Sequence, residues 1–165
     1  MTKIAIIAKG PTRTLYTPAG HSHVIAVNAP VAGMDWFCFG DAETIWSNTP
    51  PASPWFTNEN AARRLKKSGI ELPAGSLVWE RLFEKPWGPT LPAGWTVFSA
   101  TAALALARHL GGGAVECFGV IDAAPMPGEL AALAAGTSCR WVAERRIWNA
   151  MVAWLAATDV TVACR

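Results

Sequence analysis

Charge is scarce in this chain, as are tyrosine, long apolar runs and paired cysteines. Lys and Arg number 14 against 12 Asp and Glu, a net charge of +2 over 165 residues. That balance is too even for a protein that grips nucleic acid or a bilayer surface through its charge. Arg63, Arg64, Lys66 and Lys67 form no long basic run and read as one solvated helix face. No apolar run reaches the ~18 residues that a membrane-spanning helix requires. The amino terminus reads as a short strand and not as a signal peptide. A soluble, cytoplasmic chain with neither membrane nor nucleic acid as partner is the expectation. Cys38, Cys117, Cys139 and Cys164 lie scattered, with no CxxC spacing. Free thiols in a reducing compartment are therefore expected, and no metal site is assigned.

Two nucleotide fingerprints are missing as well. G-x-G-x-x-G is absent, and so is the P-loop pattern G-x-x-x-x-G-K-[ST]. No acidic residue closes the second apolar segment, which argues against an NAD-type ribose clamp. Histidine is absent from residues 123–165. No repeat or linker divides the chain, so residues 1–165 are expected to form one domain.

Tryptophan, by contrast, is abundant: nine residues against a single tyrosine. Trp36, Trp46, Trp55, Trp79, Trp87 and Trp95 cluster among prolines in the middle third. Packing under long loops, a dimer contact and base stacking are the three readings of that cluster, the first two being favoured.

The most organised stretch is TVFSATAALALARHLGGGAVECFGVID, residues 96–122. Ser99 or Thr101 is suited to cap a helix there. Residues 102–110 have high helix propensity and are apolar almost all round, which predicts a buried helix. Three glycines, 111–113, permit a left-handed cap and a reversal. Val115, Glu116, Cys117, Phe118, Gly119 and Val120 then read as a buried parallel strand. Asp122 follows at its carboxyl end, where open α/β sheets hold their ligands.

Earlier in the chain, residues 3–8 read as the first strand, running into Lys9, Gly10, Pro11 and Thr12. A strand followed by a glycine turn with hydroxyls suits either an anion or a plain strand-to-helix turn. Residues 13–22 read as a short helix or loop. Residues 23–28 form a second strand ending in Asn28, and residues 35–41 a third ending in Asp41. A helix is expected from near Ala42 and a loop over 46–54. Residues 55–57 read as a short strand, followed by a helix through Lys67 capped by Thr57 or Asn58 and stopped by Gly69. Residues 76–81 read as another strand and 84–94 as a second loop, the two loops being candidates for a lid. Beyond Asp122, the pattern predicts a loop to Gly128, a helix over 128–135, a longer one over 140–157 and a last strand over 160–164.

The segments S-A-T-A-A-L-A-L-A-R-H-L-G and V-E-C-F-G-V-I-D are similar to a region shared by two Rossmann-like groups. One is the bacterial sialyltransferases that use CMP-sialic acid. The other is the 6-hydroxymethylpterin pyrophosphokinase-like proteins, including short phage and prophage homologues. The resemblance implies an α/β Rossmann-like, mostly parallel sheet with helices on both faces. It places nucleotide phosphates and sugar against the first turn, where Gly10, Pro11 and Thr12 match G-P-S and Lys9 stands for Asn. It makes Asn28 a contact to base or ribose. Phosphate would also lie on Ser99, Ala100 and Thr101, and the strand ending in Gly119 and Asp122 would hold ribose, base or sugar. Asp41 is either a ligand to a metal-bridged phosphate or sugar hydroxyl, or a helix cap. Arg140, Trp141, Glu144 and Arg145 resemble the R-W-x-x-E-R of the phage-type homologues. Arg140 then either reaches the crevice or supports its helix through Glu144.

These residues admit four functions. The first is a nucleotide-sugar transferase of the glycosyltransferase type, with CMP-sugar the donor most resembled. Its general base falls to Asp41 or Asp122, because the histidine that follows this strand in the sialyltransferases has no counterpart. The second is a pyrophosphokinase-like enzyme using a nucleotide and Mg2+, with Asp41 and Asp122 as metal ligands. The third is a nucleotide binder without catalysis. The fourth is an interaction protein whose Trp-rich loops form a homo-oligomer.

Overall fold

The computed structural model describes residues 1–47, 49–91, 97–120 and 140–165. Seven strands form one sheet in which every pairing is parallel. They are β1 (Lys3–Ile7), β2 (His23–Val27), β3 (Trp36–Phe39), β4 (Trp55–Thr57), β5 (Leu77–Val78), β6 (Ala114–Phe118) and β7 (Thr161–Cys164), in the spatial order β5-β4-β3-β2-β1-β6-β7. The chain begins at β1, steps outward to β5, then crosses back to add β6 and β7 on the far side of β1.

That reversal explains why both faces are covered. Crossovers of one hand place helices on one face while the chain steps one way and on the other face when it turns back. Helices α1 (Glu43–Trp46) and α2 (Glu59–Lys67) belong to the outward walk. Their Ala42, Ile45, Ala61 and Leu65 pack on Ala26, Phe37, Phe39 and Trp55. Helices α3 (Trp79–Phe83), α4 (Ser99–His109) and α5 (Arg140–Ala156) belong to the return. They cover Ile4, Ile6, Ile25, Val27, Cys38, Phe56, Val115 and Cys117 on the opposite face. The Rossmann-like α/β architecture read from the sequence is therefore present.

Helix α4 is the core of that second layer. Residues 99–107 are buried on every side, against the sheet and between α3 and α5. Small side chains make this possible: Ala100, Ala102, Ala103, Ala105 and Ala107 let neighbouring backbones approach, while Leu104 and Leu106 fill the gaps. Gly111, at φ +76°, ends the helix, and Gly112 lies where a Cβ would fall 2.8 Å from Ile4 Cδ1. The periodicity of α5 predicts an apolar stripe of Trp141, Ile147, Trp148, Met151 and Leu155; the last four are buried, and the side chain of Trp141 lies outside what is described.

Three local expectations are corrected. Residues 76–81 do not continue as a strand: β5 has two residues and the chain turns at once into α3. Neither Ser99 nor Thr101 caps α4; Phe98 is the N-cap residue, without a side-chain bond, and both hydroxyl residues sit inside the first turn. Asp41 does not cap α1 with its carboxylate, since Ala42 is the cap residue and only the Asp41 carbonyl bonds, to the Thr44 amide. Asn58, by contrast, caps α2 as expected, accepting from the Ala61 amide at 2.6 Å.

Candidate functional site

In a sheet of parallel strands every carboxyl end lies on one edge, so the turns after the strands converge there. Lys9, Gly10, Pro11 and Thr12 follow β1, Asn28 follows β2, Gly40 and Asp41 follow β3, and Gly119 follows β6. The start of α4 reaches the same edge above β3: the Ser99 carbonyl accepts from the Cys38 thiol at 3.2 Å. A Cβ on Gly40 would lie 3.1 Å from Ser99 Oγ and 3.2 Å from the Trp79 ring, so glycine makes room for that approach. The edge thus gathers Lys9, Gly10, Pro11, Thr12, Asn28, Asp41, Ser99, Ala100, Thr101 and Gly119. Asp122 lies outside the described residues. Arg140 opens α5, and its side chain is likewise outside what is described.

The switch point between β1 and β6 is closed by backbone. Pairing continues past the strands, with Ala8 N donating to Phe118 O at 2.8 Å and Gly10 N to Gly119 O at 2.8 Å. Thr12 Oγ1 accepts from Gly119 N at 2.8 Å. Gly119 adopts φ +64°, and a Cβ there would lie 2.7 Å from Gly10 O. A Cβ on Gly10 would lie 2.6 Å from Gly119 O. Both glycines are therefore required by their mutual contact. The Gly10 amide donates to Gly119 O and the Gly119 amide to Thr12 Oγ1, so both are engaged, and Pro11 has none to offer.

Other donors face the edge. Lys9 is exposed. Helix α4 has no side-chain cap, so the Ser99, Ala100 and Thr101 amides have no acceptor within the helix. The aligned peptide dipoles favour an anion at such an end. Thr101 Oγ1 is fully buried and without a hydrogen-bond partner. Asn28 holds φ +58°, a left-handed conformation that Asn tolerates better than most residues. Its amide bonds Cys38 O at 2.9 Å, which fixes the turn between β2 and β3. Asp41 is exposed beside Gly40. The sequence marks Asn58 only as a cap; its Nδ2 also donates to Gly40 O at 2.8 Å, tying the β3 turn to α2.

The histidines stand elsewhere. His109 ends α4, at the opposite edge of the sheet, and stacks on Trp87 with ring centroids 6.0 Å apart. His23 begins β2, also at the opposite edge. His21 bonds Glu116 at 3.0 Å.

Glu116 is the centre of a charge cluster that sequence reading missed. Its carboxylate meets Lys3 Nζ at 3.0 Å, His21 Nε2 at 3.0 Å and Arg165 at 2.7 Å. Hydrogen bonds from Arg165 and Lys3, and then from His21, hold it far below the usual carboxylate range, at about 2. It lies on the α1–α2 face of the sheet, where β6 and β1 pair, and away from the carboxyl edge. Its partners come from both ends of the chain, so no local pattern announces it.

Of the tryptophans, Trp55 and Trp79 are core residues, 2% and 3% exposed, and belong to the main packed layers on the two faces of the sheet. Trp46 lies exposed beneath Arg64, with the guanidinium 5.0 Å from the ring centre. Trp95 lies outside the described residues. Among the described residues no group of three or more His, Cys, Asp or Glu is placed to hold a metal ion, and no helix is long and apolar enough to cross a membrane.

Comparison with family models, curated proteins and solved structures finds no match for this chain. The fold implied by the resemblance is present, then, while membership of neither family is shown.

Proposed function

We propose that this chain is a nucleotide- or nucleotide-sugar-dependent transferase-like protein that takes its ligand at the carboxyl edge of the sheet. The observation that supports this is the uncapped start of α4 above β3, with its first-turn amides of Ser99, Ala100 and Thr101, and with Lys9 and the Thr12 hydroxyl at the β1 turn two strands away on the same edge. Adjacent strands are ~4.8 Å apart, so the turns after β1 and β3 stand about 10 Å apart, the reach of a diphosphate with its sugar. Phosphate charge is met by the ammonium and the helix end. Asn28, between the two turns, is the contact to ribose or base. The resemblance favours a CMP-sugar donor, and Asp41 or Asp122 would serve as general base; with magnesium the same carboxylates would serve as oxygen ligands.

One observation favours binding without catalysis. All three histidines sit away from this edge, so no imidazole is at hand to move a proton. A thermal-shift panel of CMP, UDP, GDP, ATP and CMP-sialic acid, with and without magnesium, separates the readings. A ligand at 100 times its Kd stabilises the folded chain by about 2.7 kcal/mol, a rise in Tm of roughly 5–11 °C. A shift with turnover of the donor supports the transferase; a shift without turnover supports the binder. No shift with any of them refutes both. Self-association would use Trp46 and Trp87, which are 45% and 36% exposed; a monomer by light scattering refutes that contact.

A further inference from the structure

We propose that Cys117 and Cys164 form a reversible dithiol–disulfide pair, a modification site at which a peroxide staples β7 to β6. The two residues are direct Cα partners in the parallel β6–β7 ladder. Direct partners in parallel strands project to the same face, and neighbouring strands lie ~4.8 Å apart. That spacing falls inside the roughly 4.4–6.8 Å between Cα atoms that a disulfide bridges. The thiols already meet: a hydrogen bond with Cys164, together with burial, raises the Cys117 thiol well above the ordinary range. Neither residue is in a disulfide here.

Their exposures divide the labour. Cys164 is exposed on the edge strand, whereas Cys117 is buried beneath it. Oxidant therefore meets Cys164 first. The Cys164 sulfur attacks the O–O bond of hydrogen peroxide and becomes a sulfenic acid, with one water released. The Cys117 sulfur then attacks the sulfenyl sulfur, the S–O bond breaks, and the hydroxyl leaves with the Cys117 proton as a second water. Two thiols lose two electrons, and one peroxide becomes two waters. A thiol reductant reverses the step by exchange. Among the described residues Cys38 has no such neighbour: its buried thiol points to the Ser99 carbonyl.

The test uses the whole chain with Cys38 and Cys139 replaced by serine, which leaves this pair alone. After treatment with hydrogen peroxide, peptide mapping without reductant is expected to show the two strand peptides joined, with a loss of two hydrogens. The Tm is expected to rise by at least about 5 °C, because the bond closes a long loop, and to fall back with dithiothreitol. A further Cys164→Ser replacement, at an exposed position, is expected to abolish both changes. Should the peptides remain separate while Cys164 proceeds to sulfinic acid or links two chains, the proposal is overturned. Should Cys164→Ser leave the Tm rise intact, it is overturned as well.

Discussion

Replacing Gly119 by alanine tests the way the two central strands end together. At φ +64° an alanine bears the left-handed cost of roughly 1–2 kcal/mol. Its Cβ would also fall 2.7 Å from Gly10 O, 2.8 Å from Ala8 O and 2.8 Å from Gly10 N, all backbone atoms that cannot swing aside. Relief requires the strand ends to part. Parting breaks the Gly10–Gly119 and Thr12–Gly119 hydrogen bonds, worth about 1 kcal/mol each. The sum is about 3–4 kcal/mol, which for a chain of this length lowers Tm by roughly 6–16 °C. Gly111 supplies the control. It holds φ +76° with nothing within 4 Å of its would-be Cβ, so Gly111→Ala bears only the backbone cost and lowers Tm by roughly 2–8 °C. The assay is thermal unfolding of both variants beside the parent chain. Equal losses would refute the reasoning, because the crowding at Gly119 would then carry no energy.

Three further outcomes follow from the same geometry. Thr12→Val leaves the Gly119 amide without its acceptor and is expected to cost about 1–2 kcal/mol by urea unfolding, with Thr12→Ser recovering most of it; a neutral valine variant would refute the bond. Asn58→Ala removes both the α2 cap and the donor to Gly40 O, an expected loss of about 1–2 kcal/mol, and Asn58→Asp restores the cap alone; equal losses in the two variants would show that the cap contributes nothing. Glu116 is lowered to about 2 in the folded chain. Unfolded, its value is ~4.3, so between those values the unfolded state binds more protons and stability rises with pH. Its contribution is complete above about pH 5 and is lost as pH falls toward 2. Glu116→Gln is expected to flatten the urea midpoint over that window; a slope matching the parent chain would refute the cluster's role.

Much of the fold was legible because its signals are local. Lys3–Ile7, His23–Val27 and Trp55–Thr57 are short apolar runs bounded by polar turns. The alanine-rich run of α4 reads as buried because nothing in residues 102–107 asks for water. Where a segment's form is decided by a distant neighbour, the pattern misleads. Trp79 looks like strand but opens α3, where it packs edge-on to Phe56 with centroids 6.0 Å apart. Ser99 looks like a cap but is drawn into the first turn, its carbonyl accepting from Cys38. At the site, each turn was visible in sequence as glycine with hydroxyls. The bond from the Gly119 amide to Thr12, 107 positions away, was not, and it changes which donors remain for a ligand. The ion cluster around Glu116 was hidden for the same reason, since its cations come from Lys3, His21 and Arg165.

The position of β1 has a consequence for biogenesis. Strand β1, made before the other six strands of the sheet, occupies its middle, while β6, its neighbour on one side, is more than a hundred codons behind. Until β6 arrives, Ile4, Ala5, Ile6 and Ile7 present an unshielded hydrophobic margin to other nascent chains. Long-range pairing of this kind is slow to form. Translation pauses or chaperone depletion should therefore harm the yield of this protein more than its finished stability would suggest.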